Sequence, residues 1–336
     1  MERKVIKMGD SSLVVSLPKA WVDKAGVVRG GSVEIEELAT GEIVVKPKTG
    51  KLERKEVKIS PDEKALGNCL IDHYINGTDI IIISSNDALD PKIMSSIYDT
   101  VPELPGYEIT EASSNRVKIE YLGGVMPFKK LFSRFTLIVT NYFTSLQLAF
   151  EKNSSAEVET MKKMRETDKL YHSLLRNLIM AAESVRIASE MELRSKDSVY
   201  YALLVKNIFE MTKKVEKIDF FSSEHNMKLA GFFESALKSH RKVMESWSKK
   251  SREIALEGME EIENTKKEIK TMLRAAGKEE AKSEPFESEQ GSRIAKLKGM
   301  VVTSEHEALN GTLINLLEIL YYIDRNLKIA TINSLS

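Results

Sequence analysis

The first 49 residues constrain the fold most, because they carry short strands that bury too little surface for a stable monomer. The turn Gly9–Ser12 precedes a β-branched apolar run, a pattern typical of a strand that leaves a turn. Pro18 fits the first turn of a following helix, where its missing N–H costs nothing. The predicted elements are strands at 3–8, 13–17, 32–37 and 43–45 and a helix at 19–25. Units of this size are marginal alone, so we expect a dimer to supply the missing core.

Length and composition indicate a multidomain globular protein. The chain has 336 residues, of which 42% are hydrophobic, enough for a sizeable core in two or three domains. Its formal net charge is zero, so only local charge bears on nucleic-acid binding. The single cysteine, Cys69, excludes a disulfide framework and fits a reducing compartment. Because MERKVIKMGD lacks the apolar core of a signal peptide and no apolar run approaches about 20 residues, we expect a cytoplasmic protein.

Residues 50–124 are predicted to form a small α/β domain. Leu66, Leu70 and Tyr74 share one face at helical spacing, which indicates an amphipathic helix. The continuous apolar run Ile80–Ile83 is typical of a strand buried on both faces. The predicted order is a strand at 57–60, a helix ending at 76, a strand at 80–83, a helix at 91–101, and a hairpin of strands at 107–111 and 116–121. The domain therefore has the order β-α-β-α-β-β.

From residue 125 to the end the sequence indicates helices in two halves, 125–221 and 222–336. Apolar residues keep helical spacing in each predicted helix. The predicted helices begin at 128, run through 170–182, and then span roughly 199–221, 226–257, a shorter piece to 274, and 304–333. We expect each half to form a three-helix bundle packed through apolar stripes.

The amino-terminal stretch resembles the SpoVT–AbrB (swapped-hairpin) DNA-binding domain. The matching segments are RKVIKMGDSSLVVSLPKAW, AGVVRGGSVEIEE and GEIVVKPK, which contain Gly9, Leu17–Pro18, Gly26 and Gly31 in the family's order. The resemblance covers about the first fifty residues. It implies an intertwined dimer, and therefore a homodimeric protein.

The same resemblance implies DNA contacts from basic residues beside the first strand and around the first turn and helix. Arg3, Lys4, Lys7 and Lys19 occupy comparable places, and such cations bind phosphates when they cluster on one face. Asp10 stands where some members carry arginine, and Val22 and Asp23 stand where others carry a basic pair. These departures favour an alternative in which the domain only dimerises the protein and its cations form a solvated rim.

The helical part resembles the PhoU phosphate-uptake regulators. MRETDKLYHSLLRNLIMAA is similar to the first helical motif of that family, in which an acidic residue lies near an Asp that precedes an apolar stripe. The resemblance extends over most of residues 50–336. Together with the amino-terminal domain, it is the architecture of archaeal PhoU-like regulators, and it implies a phosphate transporter's ATPase or a sensor protein as partner.

PhoU bundles bind clustered metal ions through carboxylates, so the resemblance raises the question of a divalent, iron- or zinc-type metal site. Asp168 fits the first acidic position. Lys213 stands where an Asp would be expected on the third helix, and Asn264 stands four residues after Glu260. Hard carboxylates a helical turn apart suit such ions, and this pattern is eroded in both halves. We therefore expect no cofactor, with Asp168 as the one candidate ligand.

The sequence favours a non-enzymatic regulator of phosphate uptake and phosphate homeostasis. No phosphate-binding loop of the GxxxxGK[ST] type occurs, the five histidines include no i, i+4 pair, and no catalytic triad is indicated. The amino-terminal dimer would bind DNA, and the bundles would bind a partner protein. The alternative is an antitoxin-like or structural adaptor, in which the hairpin domain serves only for dimerisation.

Overall fold

A computed structural model describes most of the chain as two compact units, Met1–Lys55 and Glu56–Ser336. Each unit is described by itself below. The described residues are 2–10, 12–37, 43–47, 54–61, 65–124, 127–156, 158, 166–280 and 292–334.

The first unit consists of two β-hairpins and a short helix between them. Strands β1 (Val5–Met8) and β2 (Ser12–Val15) pair antiparallel, and strands β3 (Val33–Glu37) and β4 (Ile43–Pro47) do the same. Helix α1 (Lys19–Lys24) begins after Pro18, whose fixed φ suits a helix start. The predicted early hairpins are confirmed.

No side chain that the structure describes in the first unit is buried. Its apolar residues are instead open to solvent, with Leu13 and Val28 each 72% exposed and Met8 67% exposed. Burial of apolar area is the main favourable term in folding, so one copy of this unit lacks what holds a small domain together. The unit needs a partner surface.

The second unit begins with a mixed four-stranded sheet and two helices. The strands are β5 (Glu56–Ile59), β6 (Ile80–Ser84), β7 (Tyr107–Ala112) and β8 (Arg116–Tyr121), in the spatial order β5-β6-β8-β7, and the helices are α2 (Leu66–Ile75) and α3 (Pro91–Thr100). Strands β5 and β6 are parallel and the other pairs are antiparallel. The side chain of Asp90 caps α3 by accepting a hydrogen bond from the backbone N–H of Lys92 at 2.7 Å. The predicted β-α-β-α-β-β order is thus observed.

Helices make up the rest of the second unit. They are α4 (Phe128–Lys152), α5 (Thr167–Glu183), α6 (Val185–Glu190), α7 (Ser195–Val215), α8 (Asn226–Lys249), α9 (Arg252–Glu280) and α10 (Ser292–Asn333). The prediction of one helix over 226–257 is wrong, because Lys250 adopts a left-handed conformation with φ 50° and ends α8.

Among the helices described, none has an apolar stretch long enough to cross a membrane.

The long helices pack in two sets of three that share one core. Helices α4, α5 and α7 pack on one another, as do α8, α9 and α10. Helix α4 also runs along α8, and α7 runs along α10, so a single apolar cluster extends from Phe128 to Ala330. The order of hairpins, mixed sheet and helices confirms the predicted fold class in outline, while the likeness of the helices to PhoU stays a prediction.

Arg176 on α5 joins the sheet to the helices within the second unit. Its side chain is 1% exposed, although arginine is almost never buried without partners. The guanidinium Nη1 donates to the carbonyl oxygens of Tyr74 at 2.7 Å and Thr78 at 3.1 Å. Its Nη2 lies 3.4 Å from Oδ1 of Asp79. The charge is therefore met by backbone acceptors and a carboxylate that the sheet domain supplies.

Three tyrosine rings surround the same guanidinium. Its central carbon lies 4.0 Å from the ring centroid of Tyr121, 5.2 Å from that of Tyr74 and 6.0 Å from that of Tyr107. Aromatic faces attract a desolvated cation, and this compensates part of the cost of burying it. Burial raises the pKa of Tyr74 to about 12, so its hydroxyl stays protonated and bonds to the carbonyl of Pro105 at 2.9 Å.

We expect Arg176→Leu to lower the free energy of unfolding by roughly 1.5–3 kcal/mol, because the carbonyls of Tyr74 and Thr78 and the carboxylate of Asp79 lose a charged donor. Urea unfolding followed by circular dichroism measures the change. The matched control is Arg134→Leu, which breaks an ion pair to Glu166 whose side chains are 59% and 47% exposed. That change should cost less than about 1 kcal/mol. Equal losses for the two variants would contradict a special role for Arg176.

His240 on α8 gives the fold a defined acid sensitivity. Its side chain is fully buried against Phe143, and neither ring nitrogen hydrogen-bonds to a residue that the structure describes. Burial, with a smaller effect from Arg241, lowers the pKa of His240 to about 4. Between about pH 6.5 and pH 4 the imidazole of His240 is therefore protonated in the unfolded chain and neutral in the folded chain.

We expect the free energy of unfolding to fall as the pH drops from about 6.5 to 4. The substitution His240→Leu should remove roughly 3 kcal/mol of that loss. Urea unfolding of both proteins at several pH values measures the difference. His225→Leu is the control, because the side chain of His225 is 39% exposed. A difference between native protein and His240→Leu that does not grow toward low pH would refute the assignment.

Candidate nucleic-acid interface

The structure places the four predicted DNA-binding residues on the first unit, all exposed to solvent. Arg3 and Lys4 lie on the extended segment that leads into β1. Lys7 lies within β1, and Lys19 is the first residue of α1. Lys24 in the last turn of α1 and Arg29 after it are also exposed. The unit therefore presents accessible cations along the strand, on the helix and in the loop behind it.

The register of the first hairpin shows how Lys7 is placed among apolar residues. Residues directly opposite each other in an antiparallel pair share a face, and Lys7 lies opposite Leu13 while Val5 lies opposite Val15. Ile6 lies opposite Val14 on the other face. Both faces of the hairpin are thus apolar. Lys7 stands on one of them at the end next to the turn.

A hairpin that is apolar on both faces fits the inside of an assembly, whereas a surface hairpin alternates apolar and polar residues. The sequence predicts that Lys7 binds DNA, and the structure shows that Lys7 shares one face with the apolar residues Leu13 and Val15. If Leu13 and Val15 are covered in a dimer, Lys7 lies at the rim of the covered surface. That is a suitable place for a phosphate contact.

The structure pairs Asp168, the candidate metal ligand, with a cation of the chain itself. The ammonium of Lys213 on α7 lies 2.7 Å from Oδ2 of Asp168 and 3.0 Å from Oε2 of Glu216. Thr167 donates to the other oxygen of Glu216 at 3.1 Å. Burial lowers the pKa of Lys213, but its hydrogen bonds to Asp168 and Glu216 outweigh that effect and the pKa is raised. Lys213 therefore stays charged.

The ammonium of Lys213 in this network competes with any metal ion for the same two carboxylates. A divalent ion needs several oxygen ligands around it, and the lysine ammonium already occupies the space between the two carboxylates. Among the residues that the structure describes, no group of three or more His, Cys, Asp or Glu is arranged to hold a metal. Glu216 was missed by sequence reasoning, although its spacing of three residues from Lys213 is the signal that could have found it.

Comparison with known proteins identifies one family in the first unit. Residues 6–53 match the family described as antidote-toxin recognition MazE, bacterial antitoxin. Comparisons with curated proteins and with solved structures give no match. The amino-terminal part is thus similar to MazE/AbrB-type domains, a similarity that indicates a DNA-binding or antitoxin-type regulator. Domains of this type typically dimerise and bind DNA or toxins.

We expect the full-length protein to be a dimer that depends on the exposed apolar face of the first hairpin. The double substitution Leu13→Asp and Val15→Asp should shift the equilibrium to monomers, because dimerisation would then bury four unpaired carboxylates. Size-exclusion chromatography with light scattering distinguishes the chain mass of 37.9 kDa from twice that mass. Leu137→Asp, at a 57% exposed position on α4, is the control and should leave the mass unchanged. A variant that keeps the doubled mass would show that another surface makes the dimer.

Proposed function

We propose that the protein is a dimeric DNA-binding regulator whose first unit binds DNA and whose helices bind a partner protein. The observation that carries the proposal is the surface of the first unit. This unit leaves its apolar residues unburied in one chain and presents exposed cations at Arg3, Lys4, Lys7 and Lys19. The MazE-type match to residues 6–53 supports both parts, because such domains typically dimerise and bind DNA or toxins.

A dimer would duplicate every cation of this unit. Phosphate contacts from lysine and arginine supply most of the affinity of a protein for DNA, and their number sets its salt dependence. Four cations per chain become eight in a dimer, arranged about a two-fold axis as on a palindromic site. A chain with no net charge can therefore bind DNA through one local surface.

For the second unit we propose a role in phosphate uptake and phosphate homeostasis. The support is the resemblance of the segment around Asp168 to the first PhoU motif, together with helices packed in two sets of three. The partner would be the ATPase of a phosphate transporter or a sensor protein. Partner binding at the helices would change how the dimer holds its DNA.

The second candidate function is an antitoxin-like adaptor that uses the first unit for dimerisation and binds a toxin or another protein. Two observations favour it. The family matched by residues 6–53 is named for recognition of toxin by antitoxin. The acidic side chains of Asp10 and Asp23 lie close in sequence to the proposed DNA contacts, and Asp23 is exposed on α1.

Fluorescence anisotropy with labelled DNA tests the proposal. The DNA fragments are the regions upstream of the protein's own gene and of phosphate-transport genes, with an unrelated fragment of equal length. We expect one upstream fragment to bind at least about 1,000-fold more tightly than the unrelated one at 150 mM salt. The triple substitution of Lys4, Lys7 and Lys19 by Ala should weaken binding by about tenfold or more, and should flatten the salt dependence because phosphate contacts are lost.

The control variant replaces Lys130, Lys206 and Lys267 by Ala. These lysines are exposed on the second unit, so the change removes the same charge without touching the first unit. Its affinity for DNA should equal that of the native protein. Loss of DNA binding in the first variant, with the dimer intact, supports the regulator. Native protein that binds every fragment equally and weakly refutes it and favours the adaptor.

A further inference from the structure

One end of the helical part contains a cavity of about 720 Å³. It lies where α4, α7 and α8 meet, beside the last residue of α10. Ligand pockets for small molecules have volumes of about 300–1,000 Å³ and combine apolar walls with a few polar groups. The cavity has this size and this composition.

The wall of the cavity is formed by four aromatic rings. Phe128 and Phe132 are stacked with centroids 5.7 Å apart, and Tyr201 meets both edge-on, at 4.7 Å and 5.4 Å. Trp247 in turn meets Tyr201 at 4.9 Å. Phe128 and Trp247 are buried, while Phe132 and Tyr201 are partly exposed and so offer their surfaces to the cavity. Such surfaces favour a flat ring, which stacks or packs edge-on against them.

The charges at the rim are paired within the chain, with one exception. Both oxygens of Asp197 accept from Arg194, at 2.7 Å and 2.9 Å. Glu245 is bound by Lys249 at 2.7 Å, and Lys129 is bound to Glu192 at 2.9 Å. Lys250 also lines the cavity, and it forms no ion pair with any residue that the structure describes.

An uncompensated ammonium beside an aromatic wall favours an anion. Arg194 adds to this preference, because a guanidinium has five N–H donors and only two of them bond to Asp197. The two carboxylates at the rim are already occupied by cations, so they oppose a bound anion less than isolated ones would. The cavity therefore combines a surface for a ring with donors for a negative group.

The backbone of Lys250 gives an independent observation. Lys250 ends α8 in the left-handed conformation, with φ 50°, where glycine or asparagine is preferred and a lysine is strained. Helix α4 ends in the same conformation at Asn153, with φ 55°, and there the residue is of the preferred type. A lysine at a strained backbone position beside the cavity is consistent with use of its side chain.

We propose that this cavity binds a small anion with a planar aromatic ring, of about the size of a nucleoside monophosphate. The ring lies against Phe132 and Tyr201, and the anionic group is bound by Lys250 and by the remaining N–H groups of Arg194. The cavity lies where helices of both three-helix sets meet, so a ligand there contacts both sets. The inference stands apart from DNA binding, because every residue in it belongs to the second unit.

Tryptophan fluorescence tests the proposal in the full-length protein. The chain has two tryptophans, so Trp21→Phe leaves Trp247 at the cavity as the only emitter. The probes are AMP, GMP, CMP and salicylate, with adenosine as a ring without charge and inorganic phosphate as a charge without a ring. We expect at least one aromatic anion to change the emission with a Kd below about 1 mM, and both partial probes to bind at least about tenfold more weakly.

Lys250→Gly removes the cation and also relieves the backbone strain. Its thermal midpoint should stay equal or rise, while its affinity for the best aromatic anion should fall at least about tenfold. Asn153→Gly likewise places glycine at the left-handed end of α4, without removing a cation, and the affinity should stay unchanged although the hydrogen bond from Asn226 is lost. No response to any aromatic anion up to about 10 mM would overturn the proposal, as would phosphate alone binding equally well or Lys250→Gly keeping full affinity.

Discussion

The stability of the first unit depends on covering apolar surface that a single chain leaves exposed. Its described side chains are all at least partly exposed, and many of them are apolar. A hairpin with apolar residues on both faces is stable only where something covers both faces. The stretch Val5–Val15 therefore bears more directly on the oligomeric state of the protein than on the ligand that it binds. In the proposed dimer the cations beside the hairpin would lie next to the covered surface, so DNA binding would depend on dimerisation.

The second unit, by contrast, contains a deeply buried cation, the guanidinium of Arg176. Arg176 is bound by carbonyls and a carboxylate of the sheet domain and is enclosed by three tyrosine rings. Moving the sheet domain away from α5 would break these hydrogen bonds and expose the tyrosine rings to water. The contact of Arg176 therefore holds the sheet domain against the helices.

Sequence patterns predicted the elements that have local causes, and missed features that arise from distant residues. Asp90 and Pro91 carry a helix start in two adjacent positions, and the observed cap confirms it. Nothing near Arg176 in the sequence indicates burial, because its acceptors lie about a hundred residues earlier, at Tyr74 and Thr78. The end of α8 was missed because Lys250 carries no glycine or asparagine signal for a left-handed helix end. The cavity was missed because its wall comes from three separate helices.

Lysines of the helical part pair with neighbouring carboxylates of the same chain. Lys213 binds Asp168 and Glu216 in the first set of helices, and Lys242 lies 3.3 Å from Glu257 and 3.0 Å from Glu261 in the second. Each carboxylate pair is thus partly compensated by a cation from the same chain. Long-range attraction is weak for such a surface, so recognition depends on particular places where the compensation is incomplete. Among the described residues of the second unit, Lys250 beside the cavity is one such place.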